Sequence, residues 1–262
     1  MKLKIVSYNI RTLYSHPIDG VNSFIHRAGM ILEKISAEKP HVICLQEVSE
    51  GIRAFLDTYL PNYILVGHGR LADYSGEGLC TAFRKDCMEL MELEHFWLSP
   101  TPYVPGSRYE VQSQYPRLCQ LVTLRYKALA TPIRFGNVHL DHISDEARVL
   151  GMDQILKTVA EINKNKRTLP FMLMGDFNAY PESETILYCK RNGLVDLSET
   201  SGSTFHGFGR SPKDEPAIGR KIDYIFSDKE TAEKKNLVTK WEDCQNGIYL
   251  SDHYPLCCEI EF

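Results

Sequence analysis

The chain has 262 residues, of which 43% are hydrophobic and 24% are charged, and these fractions are typical of a globular protein. Its net charge is −4 and its pI is near 6.1, which argues against a protein that clamps duplex nucleic acid through a basic face. A small or single-stranded phosphate substrate remains compatible with this charge.

The first predicted elements are two buried strands joined by a helix. Residues 5–9 form an apolar strand that ends in Asn9, and residues 42–47 form a second one that ends in Glu47. Between them, apolar residues recur at helical spacing from about Val21 onward. Since the strand begins so soon after Met1, we expect no secretion signal, and no apolar run approaches transmembrane length.

The middle of the chain repeats this arrangement. A strand at residues 135–139 ends in His139, a helix opens at the suitable N-cap Ser144, and a segment at residues 171–178 ends with Asp176 and Asn178. Asn9 and Glu47 are 38 positions apart, and His139 and Asp176 are 37 apart. The spacings predict two similar strand–helix–strand halves, although any α/β chain repeats at about this period.

The last third adds a strand that begins near Asp223 and a polar turn at Asp252 and His253. Neighbouring residues of a regular strand point to opposite faces, so these two share a pocket only if the chain bends there. Pro255 favours such a bend. Strands that are apolar throughout are buried on both faces of a layered α/β fold, and ligands gather at their ends.

Residues 200–220 have no regular period and are rich in Gly, Ser and Pro. Loops of this length inside a compact domain are often functional. Phe205 and His206 offer ring surfaces for a base or a sugar, so we expect them to contact substrate. A purely structural loop is the alternative.

Cysteine usage indicates a compartment. The eight cysteines include no CxxC pair and lie mostly in apolar runs, which favours thiols over a zinc site or a disulfide framework. We therefore expect a cytoplasmic protein.

Six short motifs lie in order along the chain: Tyr8-Asn9, Leu45-Gln46-Glu47, Asn137-Val138-His139-Leu140-Asp141, Gly175-Asp176-Phe177-Asn178, Ile222-Asp223-Tyr224-Ile225 and Ser251-Asp252-His253. Each is weak alone, but together they resemble the endonuclease/exonuclease/phosphatase superfamily, and most closely its bacterial deadenylase-like members. The resemblance implies one domain over residues 1–262, built as a four-layered α/β sandwich of two packed mixed β-sheets flanked by helices. It also implies divalent-metal-dependent hydrolysis of phosphate esters.

The resemblance implies a metal site at Glu47, with Asn9 beside it and Asp252 close by. Mg²⁺ prefers oxygen ligands and keeps several waters, so one or two carboxylates suffice, and Mn²⁺ is a possible substitute. Taken alone, Glu47 would be read as a solvated residue at the start of a helix.

The implied catalytic residues are His139, Asp176, Asn178, Asp223 and His253. A carboxylate at Asp176 can orient or deprotonate the attacking water, and Asn178 can hold that water or a phosphate oxygen; in isolation both fit a turn equally well. Asp223 pairs with His253, whose imidazolium would stabilise developing charge, whereas a neutral ring would accept a proton. His139 resembles the nuclease histidine at the leaving oxygen.

The remaining predicted residues concern the phosphate. Arg117 resembles a phosphate-facing arginine, with a surface charge at a strand start as the alternative, and Asn137 resembles a phosphate-side amide. Asp141 and Arg148 are expected to support the site from behind. Arg11 stands where abasic-site endonucleases usually carry an acidic residue, which counts against that activity and allows Arg11 to meet a phosphate.

The favoured function is a phosphodiesterase on short or single-stranded nucleic acid, for example a 3′ to 5′ RNA exonuclease. The alternatives are a phosphomonoesterase on a phosphorylated metabolite, sugar or inositol phosphate, and a noncatalytic binding module. An open groove with aromatic platforms would favour the polynucleotide, and a closed cationic cup would favour the monoester. We expect a monomer whose partner is a phosphate-ester substrate, with no membrane contact.

Overall fold

The computed structural model describes residues 2–13, 18–129, 131–213 and 215–262. In this part of the chain the strands are β1 (Lys2–Asn9), β2 (Val42–Val48), β3 (Tyr63–Gly69), β4 (Gly78–Arg84), β5 (Met88–Trp97), β6 (Leu118–Tyr126), β7 (Ile133–His139), β8 (Phe171–Asp176), β9 (Val195–Asp196), β10 (Asp223–Ser227), β11 (Asn236–Lys240), β12 (Cys244–Gln245), β13 (Ile248–Tyr249) and β14 (Leu256–Glu261). The helices are α1 (Phe24–Glu38), α2 (Glu50–Tyr59), α3 (Asp145–Asn165), α4 (Glu184–Arg191) and α5 (Lys229–Ala232).

Two six-stranded mixed sheets contain most of these strands. Their orders are β11-β14-β1-β2-β4-β3 and β5-β6-β7-β8-β10-β9. In each sheet one central pair is parallel, β1 with β2 and β7 with β8, and the helix between the paired strands makes the crossover. The two predicted halves are therefore confirmed as two equivalent sheets.

The register corrects which positions correspond between the halves. Asn9 lies opposite Gln46, and His139 lies opposite Asp176. Gln46 is thus the counterpart of Asp176, and Glu47 lies one residue beyond the paired strand ends. The matching carboxylates that the spacing indicated are not at equivalent positions.

The core confirms the four-layered sandwich. Side chains from both sheets, among them Ile5, Phe135 and Met172, are fully buried in one cluster between the sheets. On the outer faces, α1 and α2 pack against the first sheet, while α3 and α4 pack against the second. Burial on both faces explains why the central strands are apolar almost throughout.

Helix α3 begins after Ser144 as predicted, because the Ser144 Oγ accepts a hydrogen bond from the Ala147 N–H at 3.1 Å. Helix α1 begins at Phe24 rather than near Val21, since a short 3₁₀ turn and an extended Ser23 precede it. Within the described ranges, no helix is both long enough and apolar enough to cross a membrane.

Strand direction brings the predicted motifs to one edge. The carboxyl ends of β1 and β2 share an edge, as do those of β7 and β8, because each pair is parallel. The antiparallel strands beside them, β14 and β10, begin at that same edge. Asp223 consequently lies directly opposite Asp176.

Candidate active site

The backbone bends sharply at two of these strand ends. Glu47 has a left-handed φ of 60° within a bulge between Leu45 and Val48, and Asn178 has a φ of 49°. Gly175 has a φ of 150°, and a Cβ there would lie 1.9 Å from the Val138 carbonyl oxygen. A non-glycine residue in the left-handed region costs about 1–3 kcal/mol and is concentrated at functional sites.

Asp176 occupies the centre of the site and is 2% exposed. Its carboxylate accepts hydrogen bonds from the Asn9 side-chain amide at 3.0 Å and from the Asn178 backbone N–H at 2.9 Å. The Nε2 atoms of His139 and His253 lie 3.4 and 3.8 Å from Asp176 Oδ2. Burial raises the pKa of Asp176 to about 7; His253 opposes this shift and Asp223 adds to it. A carboxylate with a pKa in this range suits a general base at neutral pH.

Asp223 and His253 form the predicted pair. Asp223 Oδ2 lies 2.8 Å from His253 Nδ1, and both residues are almost fully buried. Burial opposes protonation, but Asp223, Asp176 and Asp252 outweigh it and raise the pKa of His253 to about 10. The ring is therefore an imidazolium at neutral pH, with its Nε2–H on the side of Asp176.

Glu47, Asn9 and Asp252 meet beside this set. The Asn9 amide donates to both Glu47 Oε1 and Asp176 Oδ2 at 3.0 Å, and the Thr12 N–H donates to Glu47 Oε2 at 2.9 Å. Burial would raise the pKa of Asp252, but the positive charges of His253 and Arg11 lower it. The Asn9 amide thus joins Glu47 to Asp176, and Arg11 lies beside Asp252.

Arg11 places a positive charge beside the carboxylates of Asp19 and Asp252. Its guanidinium bonds both Asp19 oxygens at 3.0 and 3.1 Å and lies 3.4 Å from Asp252 Oδ2. Burial would lower the pKa of Arg11, but Asp252, Asp19 and Glu47 raise it. Two of its guanidinium nitrogens, Nε and Nη2, are held by Asp19, while Arg11 itself lines the cleft, so its contact with phosphate stays a prediction.

Two sets of donors could hold a divalent cation. Asp176, Asp223 and His253 offer ligand atoms within 4.8 Å of one another, but the imidazolium already donates to Asp223. A histidine must be deprotonated at the nitrogen that binds a metal, so a hydrogen-bonded acid–base set explains this group better. Glu47 and Asp252, with the amide oxygen of Asn9, are hard oxygen donors and fit Mg²⁺ or Mn²⁺.

Glu47, Asp176, Asp252 and His253 line a cleft with a volume of about 360 Å³. Arg117 lies in its wall and is 4% exposed. One guanidinium nitrogen contacts His142 Nδ1 at 3.1 Å, whereas Nε and Nη1 are buried without a hydrogen-bond partner. Burial and the neighbouring Arg70 lower the pKa of Arg117 to about 10. Buried polar groups are normally hydrogen-bonded, so a guanidinium with two unpaired nitrogens on a cleft wall has the donors to bind an anion.

The sequence reasoning missed Arg70, Glu77 and His142, which also line the cleft. Arg70 and Glu77 flank the hairpin between β3 and β4, where Gly69, Gly76 and Gly78 were the available turn signal. His142 directly follows Asp141, the last residue of the third motif.

Asn137 lies outside the cleft, which contradicts its predicted phosphate role. It is fully buried between the sheets, where its Nδ2 donates to the carbonyls of Leu45 and Cys80 and its Oδ1 accepts from Gln46 at 2.8 Å. All its hydrogen-bonding groups are occupied, so it joins the two sheets instead.

The loop residues are also placed differently from the prediction. Phe205 lines the cleft but is only 5% exposed, because its ring packs on His253 with centroids 4.7 Å apart. His206 lies outside the cleft lining and stacks on Tyr254 at 4.2 Å. Neither ring is an open platform for a base.

Asp141 and Arg148 lie outside the cleft lining and contact the segments that carry Arg117 and His142. Asp141 accepts hydrogen bonds from Ser113 and from the backbone N–H of Ile143 and Ser144. It thereby ties the segment before Arg117 to the turn that carries His142. Arg148 donates to the Asp141 carbonyl at 2.8 Å.

A sandwich of two mixed sheets that gathers carboxylates, amides and histidines at one edge is the fold of the DNase-like phosphoesterases. The model of the endonuclease/exonuclease/phosphatase family matches residues 6–253, and the chain belongs to this family. Its members are generally metal-dependent phosphoesterases. Comparison with curated protein sequences gives no significant match.

Solved structures resemble this chain over its full length. An endonuclease/exonuclease/phosphatase from Bacteroides vulgatus has 25% identity and a TM-score of 0.87, covering 100% of this chain and 99% of that one. The mannosyl-6-phosphatase Bt3783 of Bacteroides thetaiotaomicron has 24% identity and a TM-score of 0.82, with coverage of 99% and 100%. The human nocturnin catalytic domain, with a bound sulfate anion, has 18% identity and a TM-score of 0.75, with coverage of 100% and 93%.

Proposed function

We propose that this protein is a divalent-metal-dependent phosphomonoesterase that acts on a small phosphorylated molecule. The observation that carries the proposal is Arg117, whose buried Nε and Nη1 have no partner in the described residues. A planar guanidinium with two open donors matches the oxygens of a phosphate.

The pairing of the other cations favours one phosphate over a chain of phosphates. Four arginines line the cleft, and three of them have a carboxylate partner: Arg11 with Asp19, Arg70 with Glu77 and Arg210 with Glu215. Among the described residues, only Arg117 of the four has no carboxylate within 4 Å. A polynucleotide would instead need several free cations along its backbone.

The catalytic side chains divide the work as follows. Glu47 would hold the cation with Asn9 and Asp252, and a divalent cation there neutralises charge on the phosphate oxygens. Asp176 takes a proton from the attacking water. The His253 imidazolium, fixed by Asp223, and Arg117 stabilise the charge that develops on phosphorus-bound oxygens.

Hydrolysis of short single-stranded nucleic acid is the second candidate. It is favoured by Tyr115, which is 39% exposed on the cleft wall, and by Arg210 at the rim. A base would meet Tyr115, and a neighbouring phosphate would meet Arg210 only by displacing Glu215. Cytoplasmic location and a monomeric state stay predictions.

The test is a substrate panel with the wild type, Asp176→Asn and the matched control Asp86→Asn, an exposed carboxylate paired with Arg84. The panel holds a hexose 6-phosphate, an inositol phosphate, single-stranded RNA and DNA, and an abasic duplex, each with Mg²⁺ and with Mn²⁺. We expect monoesters to be preferred and Asp176→Asn to lose about 10²–10⁴-fold in turnover while unfolding at the wild-type temperature.

Three outcomes would contradict the proposal. Near-normal turnover by Asp176→Asn would overturn the mechanism, and preference for RNA or DNA would promote the nuclease. Absence of turnover together with absence of any Mg²⁺-dependent change in thermal unfolding would indicate a noncatalytic binding module.

A further inference from the structure

An ion pair on the cleft wall has no part in the chemistry described above. The Arg70 Nη2 and Glu77 Oε2 atoms are 2.7 Å apart, and the two side chains are 11% and 23% exposed. Both residues line the same cleft as Glu47 and Arg117. The pair therefore faces the cleft, next to the residues proposed to bind the cation and the phosphate.

The pair is held rigidly. Arg70 donates its N–H to the Glu77 carbonyl at 3.1 Å, and its own carbonyl accepts from the Trp97 indole at 2.8 Å. Its guanidinium lies over the Tyr115 ring, 4.7 Å from the centroid. Side chains fixed in this way lose little entropy on binding a ligand.

The hairpin that carries the pair is tightly wound. A Cβ at Gly69 would lie 2.0 Å from the Ser75 carbonyl oxygen, and one at Gly78 would lie 2.0 Å from that of His68. Only glycine allows this approach of the two strands. Arg70 and Glu77 are consequently presented by a rigid turn instead of a mobile loop.

The chemistry of the pair restricts the ligand. Together its charges cancel, so it does not attract a second phosphate. It still offers guanidinium donors beside carboxylate acceptors. Each hydroxyl group of a ligand can donate one hydrogen bond to the carboxylate and can accept hydrogen bonds from the guanidinium. Arg70 also covers one face of the Tyr115 ring, so a base could stack only on the other face. These properties match a neutral group that carries several hydroxyls.

We infer that Arg70 and Glu77, backed by Tyr115, form a leaving-group subsite for hydroxyl groups, so that the substrate is a phosphorylated sugar or polyol. This inference rests on the proposed phosphomonoesterase function. A site built to hydrogen-bond a substrate hydroxyl discriminates strongly against an analogue that lacks it, because the buried polar groups are then left unpaired.

The experiment compares a hexose 6-phosphate with n-hexyl phosphate, which has the same phosphate and no hydroxyls. We expect the wild type to prefer the sugar in kcat/KM. Glu77→Gln should lower that preference by about 10–100-fold, the value of a hydrogen bond to a charged group, with the rate on n-hexyl phosphate little changed. Arg70→Gln should also lower the preference for the sugar phosphate.

The matched control is Glu89→Gln, which breaks the exposed Glu89–Arg125 pair on β5 and β6 and should keep the preference. If Glu77→Gln lost kcat/KM equally on both substrates, the subsite would be overturned, and Glu77 would instead serve the metal or the fold. Titration with Mg²⁺ and thermal unfolding distinguish these two roles. Equal use of both substrates by the wild type would also overturn it. Hydrolysis of RNA with no turnover of either monoester would instead refute the proposed function.

Discussion

Arg117 allows a prediction in which stability and activity move in opposite directions. Its guanidinium is 96% buried, has two unsatisfied nitrogens and lies near a second arginine, Arg70. Replacing it with methionine, Arg117→Met, keeps much of the side-chain length and removes the charge. We expect this variant to unfold at a higher temperature than the wild type and to be nearly inactive.

The magnitude follows from the pKa of Arg117, which burial and Arg70 lower from 12.5 to about 10. At pH 7 arginine is charged in both the folded and the unfolded chain, so a lowered folded pKa means that the charge destabilises the fold. At 1.36 kcal/mol per pKa unit, the cost is about 3 kcal/mol. Replacement of a buried charge by an apolar side chain recovers part of it, about 1–3 kcal/mol.

The activity loss follows from the open donors. Each hydrogen bond to a charged group contributes about 1.5–3 kcal/mol, so losing two lowers kcat/KM by about 10²–10⁴-fold. Arg117→Lys keeps the charge but not the planar fork and should fall between the wild type and Arg117→Met.

The assay is thermal unfolding at pH 7 with and without inorganic phosphate, together with kcat/KM on the preferred monoester. Phosphate should stabilise the wild type and leave Arg117→Met unchanged, since ligand binding raises the stability of the form that binds it. A variant that is less stable than the wild type, or that keeps both phosphate stabilisation and activity, would refute this reasoning.

Two further predictions concern stability. Asn137→Leu should lower the free energy of unfolding by about 3 kcal/mol or more in chemical denaturation, because it removes three buried hydrogen bonds, to Gln46 and to the carbonyls of Leu45 and Cys80; an inactive variant with unchanged stability would restore the phosphate role. Burial, with His68 adding to it, lowers the pKa of His95 to about 4, and the Gln120 amide donates to His95 Nε2 at 2.7 Å, which requires that nitrogen to be unprotonated. The folded pKa lies below the unfolded value of about 6.5, so the wild type should lose up to about 3 kcal/mol between pH 6.5 and 4. Unfolding curves of His95→Gln should show a smaller loss over that range, and an identical one would contradict the assignment.

Much of the site could be predicted because its residues mark strand ends. Asp176, Asp223 and His253 each follow or precede an apolar strand, and the carboxyl ends of parallel strands must share an edge. The order of short motifs then identified the family that the comparison confirms. Both signals are local: each needs only a few consecutive residues.

The residues that were misplaced depend on contacts between distant segments. Asn137 and His139 lie on the same face of β7, two positions apart, and no local pattern separates them. His139 reaches the cleft, whereas Asn137 is covered by Gln46 from the other sheet. Phe205 likewise packs on His253, 48 positions away, and is not available to a base.

By itself the sequence determined the class of fold and the two similar halves, because apolar periodicity and strand-end polarity are written in neighbouring residues, and the order of its motifs indicated the family. Only the tertiary structure decided that Glu47 lies beyond the paired strand end, that Arg117 has no carboxylate partner among the described residues, and that Arg70 and Glu77 face the cleft. These properties depend on register and on how the two sheets and their loops pack, and such long-range contacts leave no periodic signal in the chain.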